Sequence, residues 1–178
     1  MQNRGFTLME VLVAMALMSV AALGGLQLVA VATEMVARAR VHSLAASLAS
    51  TRMEQLRSLR FEFDAAGLRS ADATTDLTVE PASSGGPGLT PSGGSALDQN
   101  IGGYVDFLGR NGAWLGTGGN APPGTAFVRR WSIEPIDVNG DLLVVHVLVR
   151  PSAAGSAAGT ARVAGEARFV SLRARTRR

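Results

Sequence analysis

The architecture of this chain is decided by residues 4–32, RGFTLMEVLVAMALMSVAALGGLQLVAVA, in which a short polar start leads into a long apolar run. Between residues 11 and 32 no side chain is charged, and only one serine and one glutamine are strongly polar. Such a run forms roughly 33 Å of helix, close to the ~30 Å hydrocarbon thickness of a bilayer. The stretch therefore predicts one transmembrane helix, with Arg4 holding residues 1–5 on the cytoplasmic side.

The order of features at the start differs from that of an ordinary secretory signal, where the cleavage site follows the apolar core. Here the junction Gly5-Phe6 precedes the core, and Glu10 stands four residues after Phe6. Over residues 4–20 this arrangement resembles the class III signal of type IV pilins and their relatives. The resemblance implies that a prepilin peptidase cuts between Gly5 and Phe6 and methylates the new amine of Phe6. It also implies that Glu10 is the assembly glutamate.

The position of Glu10 has a physical reading beside the resemblance. A carboxylate near the end of a membrane helix is costly unless it is paired, so it is a functional candidate by default. Cleavage would create an amine at Phe6, one helical turn away, which could neutralise Glu10 within one subunit or in a neighbouring one. The alternative is an interfacial glutamate that snorkels to the headgroups, as in any single-pass anchor.

Two glycines, Gly24 and Gly25, lie inside the predicted membrane helix. Each costs about 1 kcal/mol relative to alanine in a helix interior. One interpretation is a soft point that loosens during filament packing. The other is close approach of a second helix, which small residues permit.

The helical pattern continues beyond the membrane, because residues 27–63 contain no proline or glycine. Apolar residues recur at helical intervals, at Val31, Met35, Leu44, Leu48, Leu56, Leu59 and Phe63. Charged residues fill much of the other face, at Arg38, Arg40, Arg52, Glu54, Arg57 and Arg60. We therefore predict a leader at residues 1–5, a transmembrane and assembly helix at 6–33, and an amphipathic half of the helix at 34–63.

The remaining residues, 64–178, are predicted to form a periplasmic β-sheet domain with Gly/Ser/Pro-rich loops at 81–103 and 116–125. Short strands are predicted at 104–108 and 113–115. The clearest strands are 127–133, with Phe127, Trp131 and Ile133 on one face, then 142–149 and 167–174. The segment DVNGD at 137–141 predicts a tight hairpin. The fold class is α+β, a long helix packed on a small antiparallel sheet, which also matches pilin-like subunits.

Catalysis finds little support in the composition. The chain has no cysteine and two histidines, His42 and His146, more than 100 residues apart. No metal-ligand spacing or nucleophile elbow is present, so we expect no enzyme activity, no cofactor and no metal. Asp137, Asn139 and Asp141 begin like a calcium loop, but leucines stand where its later ligands belong. Because some pseudopilins bind calcium, that alternative stays open.

All 17 basic residues are arginine, and nine of them lie in residues 125–178 against four acids. The C-terminal cluster Arg173, Arg175, Arg177 and Arg178 is a candidate contact for an acidic partner. Counterion release could allow DNA binding, but aromatic residues are nearly absent there, so we do not expect nucleic acid as the partner.

The function predicted first is a minor pilin of a type IV pilus, a structural subunit stored in the inner membrane as a single-pass protein with its domain in the periplasm. Its implied partners are the prepilin peptidase, other pilins or pseudopilins, and an inner-membrane assembly platform. A minor pseudopilin of a type II secretion system is the nearest alternative. A membrane-anchored envelope enzyme and a DNA-binding adhesin are alternatives of another class.

Overall fold

The structure is a computed structural model that describes residues 8–152 and 165–177, the last of these by its backbone alone. One long helix, α1, runs from Leu8 to Ser58. Within the described residues, ten strands follow it: β1 Phe61–Phe63, β2 Arg69–Ala71, β3 Thr75–Asp76, β4 Ser83–Ser84, β5 Val105–Leu108, β6 Trp114–Thr117, β7 Phe127–Pro135, β8 Leu142–Pro151, β9 Ala167–Ala174 and β10 Thr176–Arg177. The chain divides into two compact units, residues 1–40 and 41–178.

The main sheet of the second unit has five antiparallel strands in the order β6-β5-β7-β8-β9. A three-stranded sheet, β10-β1-β2, and the pair β3-β4 complete the unit. In the three-stranded sheet β10 pairs parallel to β1, so the C-terminal residues return to the end of α1. The predicted α+β class, a long helix with small antiparallel sheets, is confirmed.

The β7–β8 hairpin is the centre of the sheet, and it confirms the sequence pattern. Phe127, Trp131 and Ile133 are all buried, as their shared face predicted. The hairpin turn needs a glycine at Gly140, whose φ of 69° lies in the left-handed region. Both strands extend two residues past their predicted ends, and β9 covers the predicted residues 167–174.

One face of α1 packs on this sheet through Ala45, Ala49, Arg52, Met53 and Leu56, which are all buried. Their spacing of three and four residues defines one helical stripe. They join a core that contains the inward residues of β7 and β8. Of the predicted apolar stripe, Leu56 lies in this core, and Leu44, Leu48 and Leu59 are partly buried against it. Val31 and Met35 are exposed.

The prediction that the helix continues to Phe63 was wrong, because α1 ends at Ser58 and residues 61–63 form β1. The reason lies in the helical phase. Five residues beyond Leu56, a helical Phe61 would point well away from the buried stripe. As a strand residue paired with β2, Phe61 is instead only 5% exposed.

Candidate assembly site

The first unit presents an unbroken apolar helical surface. Its large apolar side chains from residue 8 to residue 36 are 49–79% exposed. An 18-residue window of α1 has a mean hydropathy of 2.1, and none of that window is buried within the protein. The helix is therefore long and apolar enough to cross a membrane. Burial of such a surface has to come from lipid or from other chains.

The hydroxyl groups within this surface are satisfied by the helix itself. Ser19 Oγ donates to the Met15 carbonyl at 2.8 Å, and Thr33 Oγ1 donates to the Ala30 carbonyl at 2.8 Å. These bonds remove the cost of placing a hydroxyl donor in hydrocarbon. Directly after this surface, Arg38 forms an ion pair with Glu34 at 2.5 Å. The change from apolar to charged surface thus falls at residue 34.

Glu10 lies in the first turn of α1 as the structure describes it. Its neighbours Met9 and Val11 are exposed apolar residues. Gly5 and Phe6, the predicted cleavage junction, lie outside the described residues, so their assignment stays a prediction.

Gly24 and Gly25 have no packing reason within the described part of the chain. A Cβ atom built on either glycine meets no atom within 4 Å, apart from the helix's own nearby backbone. The described residues of this chain therefore make no close contact that requires these glycines.

The second unit contains a buried charge network that the sequence did not reveal. Asp106 of β5 is fully buried and accepts hydrogen bonds from two arginines. Arg52 of α1 donates to Oδ2 at 2.5 Å. Arg129 of β7 donates to Oδ1 at 3.0 Å and to Oδ2 at 2.6 Å. One carboxylate thus links the helix to two strands of the sheet.

Both arginines also bond to backbone carbonyls. Arg129 donates to the Leu48 carbonyl at 3.1 Å, and Arg52 donates to the Leu77 carbonyl. The Arg52 guanidinium lies 4.6 Å from the centre of the Trp131 ring, in cation–π geometry. Burial lowers the pKa of Arg52 to about 10, against the opposing attraction of Asp106. Arg52 therefore remains charged near neutral pH, and the network holds two cations for one anion.

The interpretation of Arg52 as part of the charged outer face was wrong. It lies three residues after Ala49 and four before Leu56, in phase with the buried stripe. Arg129 shows the corresponding strand pattern. It lies two residues from both Phe127 and Trp131, so it shares their inward-facing side of β7. Both phases were visible in the sequence. What could not be seen was Asp106, the residue that compensates them.

The predicted basic cluster is largely tied to the fold. Arg173 donates to the carbonyls of Leu56 and Leu59 at the C-terminal end of α1. This satisfies carbonyls that the helix leaves without partners and places a cation at its negative end. The guanidinium of Arg173 is therefore not a free contact for an acidic partner.

Arg175 is more deeply held, with a side chain only 6% exposed. It pairs with Asp141 at 2.9 Å, donates to the Ser70 carbonyl at 2.7 Å, and lies 4.1 Å from the centre of the Phe61 ring. Arg178 lies outside the described residues, as does the side chain of Arg177. Arg173 thus joins β9 to the end of α1, and Arg175 joins the segment between β9 and β10 to β2 and to the hairpin turn.

The segment that begins like a calcium loop works as a turn. Asp137 accepts backbone hydrogen bonds from Asp141 at 3.1 Å and from Leu142 at 2.8 Å. The bond from Leu142 is the main cause that lowers the pKa of Asp137. Hydrogen bonds from Arg69, and then from Arg175, lower the pKa of Asp141. Within the described ranges, no group of three or more His, Asp or Glu side chains could hold a metal ion.

The two histidines lie in different secondary-structure elements. His42 lies on the exposed face of α1, and His146 lies in β8 with Arg168 Nη2 at 3.4 Å from its Nδ1. Burial, and next the charge of Arg168, lowers the pKa of His146. Neither histidine has the acidic partner that a catalytic dyad would need among the hydrogen bonds of the described residues.

Comparison with known families matches residues 1–26 to the prokaryotic N-terminal methylation motif. The match covers the class III leader and the first half of the apolar surface, and it supports a type IV pilin-like protein, either a pilin or a pseudopilin. The motif implies processing by a prepilin peptidase and assembly with other pilins. No curated protein and no solved structure matches the chain significantly.

Proposed function

We propose that this chain is a minor pilin, a structural subunit that a prepilin peptidase processes and that enters or primes a type IV pilus. The observation that carries the proposal is that the methylation motif leads directly into an apolar helix. The 18-residue apolar window of that helix is not buried by other described residues of the chain. A subunit of this kind exchanges lipid contacts for contacts with neighbouring helices during assembly. No chemical step by the chain itself is needed.

In this proposal residues 6–33 are the membrane and assembly segment, and residues 64–178 form a periplasmic domain. Before assembly the protein is stored in the inner membrane, anchored by one span. After cleavage between Gly5 and Phe6, the methylated amine of Phe6 meets Glu10 of a neighbouring subunit. A pair of opposite charges in a water-poor core is strongly attractive, and an unpaired one is costly. The pairing would therefore set the axial offset between subunits.

The buried network has a place in this function. It fixes the Ala45–Leu56 part of α1 to the sheet by charge as well as by apolar contact. Force applied to the helix during extension or retraction would then be carried into the domain without the helix sliding on the sheet. Breaking a buried pair leaves a buried charge without its partner. Any other register of the helix on the sheet would therefore be higher in free energy.

A minor pseudopilin of a type II secretion system is the second candidate, because the methylation motif is shared by both kinds of subunit. The two differ in the filament that they enter. We expect the chain in sheared surface pili, at a small fraction of the amount of the major subunit. Its absence from pili together with loss of secretion in a deletion strain would establish the pseudopilin instead.

Processing is the first test of the proposal. Intact-mass measurement of the protein from native membranes should show loss of residues 1–5 and one added methyl group on Phe6. The matched control is Gly5→Leu, which should remain full length because the junction is blocked. A mature chain that retains Met1, or one cut after residue 32, would support a simple anchor or a secreted enzyme and contradict the pilin proposal.

The role of Glu10 is tested separately. We expect Glu10→Ala to be processed normally and to be absent from filaments, because the partner amine loses its counter-charge. Glu34→Ala is the matched control, since Glu34 is an exposed carboxylate of the same helix at the charged end of the apolar surface. Normal incorporation of the Glu10→Ala protein would refute the pairing mechanism.

A further inference from the structure

The edge of the five-stranded sheet at β9 has the features of a strand-pairing site. β9 pairs with β8 over all eight of its residues and is the last strand of the sheet. Over residues 8–152 and 165–177, no strand pairs with its other side. A long regular edge presents backbone donors and acceptors to any extended chain, and proteins usually protect such edges with charges, prolines or bulges. β9 has no proline and pairs with β8 in unbroken register, and its charged residues are Arg168 and Arg173.

The side chains of β9 add an apolar surface to this edge. Val170 is 57% exposed and Leu172 is 66% exposed. Their partners across the ladder, His146 and Val144 of β8, lie on the same face of the sheet and are half-buried. The exposed apolar surface therefore extends from the second strand to the edge. An added strand would continue it with its own alternate side chains.

The edge also carries a cation without a carboxylate. Arg168 is exposed on the same face as Val170, and it forms no ion pair among the described residues. Its side-chain contact is His146 Nδ1 at 3.4 Å. Because burial and Arg168 both lower the pKa of His146, the ring is neutral near pH 7 and can accept this bond. Among the described residues, this edge thus combines backbone groups without a strand partner, apolar side chains and one positive charge.

We propose that β9 is the docking site for an extended strand of a different pilin-like subunit, which directs an acidic side chain to Arg168. The inference rests on the proposed function, since it names the partner that the subunit meets in assembly. Apolar side chains of that strand would cover Val170 and Leu172. The two domains would then share one continuous sheet.

A second copy of this chain fits the edge poorly. Antiparallel pairing of β9 with itself requires a twofold axis normal to the sheet, which reverses the direction of the helix that packs on the sheet. Copies anchored in one membrane have their helices pointing in the same direction, so this antiparallel pair could not form between them. Parallel pairing of two β9 edges requires a twofold axis along the strands, which turns one sheet over. Val170 and Leu172 of the two copies would then lie on opposite faces, so neither copy would cover the apolar surface of the other.

Photo-crosslinking of the full-length chain in its native cells tests the proposal. A benzophenone amino acid replaces Val170 on the β9 edge. The matched control carries it at Leu115 of β6, which is 38% exposed on the opposite edge of the same sheet. We expect an adduct between position 170 and a second membrane-anchored protein that has its own methylation motif. The attachment point should be an extended segment with an aspartate or glutamate.

Charge reversal then tests the role of Arg168. Arg168→Glu should lower the adduct yield about tenfold, since it replaces an exposed attraction by a repulsion, worth together about 1.4 kcal/mol. Changing the partner's acid to arginine should restore the yield. An adduct with a second copy, equal yields from positions 170 and 115, or a yield unchanged by Arg168→Glu would overturn the inference.

The mass of the same protein separates this inference from the proposed function. A correctly processed chain without an adduct overturns the strand-docking inference alone. An unprocessed chain overturns the proposed function, and with it the reason to expect a pilin-like partner.

Discussion

Replacing Asp106 by asparagine should strongly destabilise the unit formed by residues 41–178. The substitution keeps the shape of the side chain but removes its charge, so Arg52 and Arg129 become two buried cations without an anion. Three hydrogen bonds of 2.5–3.0 Å converge on this carboxylate. An asparagine amide would also turn its own N–H groups toward at least one guanidinium donor.

The expected loss follows from the burial of the network. Both arginine side chains are at most 3% exposed, and Asp106 is fully buried. Removing one partner of such a pair costs about 3–5 kcal/mol. Because domains are stable by only about 5–15 kcal/mol, the variant should lose a large share of its free energy of unfolding.

Urea unfolding of the purified full-length protein in detergent measures the effect. Tryptophan fluorescence is a suitable probe, since the Trp131 ring packs against Arg52. The matched control is Glu54→Gln, which removes an exposed carboxylate 3.5 Å from Arg57. It should cost at most about 0.5 kcal/mol.

A companion variant separates charge from packing. Combining Arg52→Met, Asp106→Leu and Arg129→Met removes all three charges and keeps comparable volume. It should recover most of the stability, because apolar groups often replace a buried ion network at little cost. A loss below about 1 kcal/mol in Asp106→Asn would refute the reasoning, since the penalty of an uncompensated buried charge exceeds that value.

Three further predictions concern other parts of the chain. Arg175→Met should lower the free energy of unfolding by about 2 kcal/mol, because it removes charge-assisted hydrogen bonds from a side chain that is 6% exposed; Arg57→Met, an exposed control in the same urea assay, should have little effect. Asp141→Asn should lower the thermal midpoint at pH 7, and the difference from wild type should begin to shrink as pH falls below about 4 and vanish only below the pKa of folded-state Asp141. The sign follows because the pKa of Asp141 is lowered in the folded state, so its stabilisation is present above the unfolded pKa and is lost as pH falls through the folded one; a difference that stays constant as pH falls from 7 to 2 would contradict it. Gly24→Ala should still enter filaments while Gly24→Leu should not, if a second helix approaches closely there; loss of assembly in Gly24→Ala would favour the soft-point interpretation, and filament immunoblots distinguish the two.

The contacts of the C-terminal arginines could not be predicted from the sequence. A run of arginines at a chain end is typical of a solvated, partner-facing tail, and the sequence favoured that interpretation. Arg173 donates to backbone carbonyls more than 100 residues away, and Arg175 donates both to such carbonyls and to the side chain of Asp141. Backbone carbonyls carry no residue-specific signal, so such a partner cannot be inferred from side-chain types.

The sequence by itself determined the long helix, the α+β class and the central hairpin. It did so because an uncharged run of membrane length, a helical stripe and the Asn-Gly turn are local patterns whose physics does not depend on distant residues. The assignment of Glu10 as the assembly residue remains a prediction from the same local reasoning. Residues 1–26 also carry the family motif, which again is a local feature.

Only the tertiary structure decided which charges are buried and where the helix ends. Arg52 and Asp106 are 54 positions apart, and their pairing exists because α1 packs across β5. Likewise Phe61 leaves the helix because it pairs with Ala71 of β2 and the Arg175 guanidinium lies over its ring. Residues far apart in the sequence determine the free-energy cost of burying a charge and the free energy gained by strand pairing. Neither free energy can therefore be inferred from a short stretch of sequence.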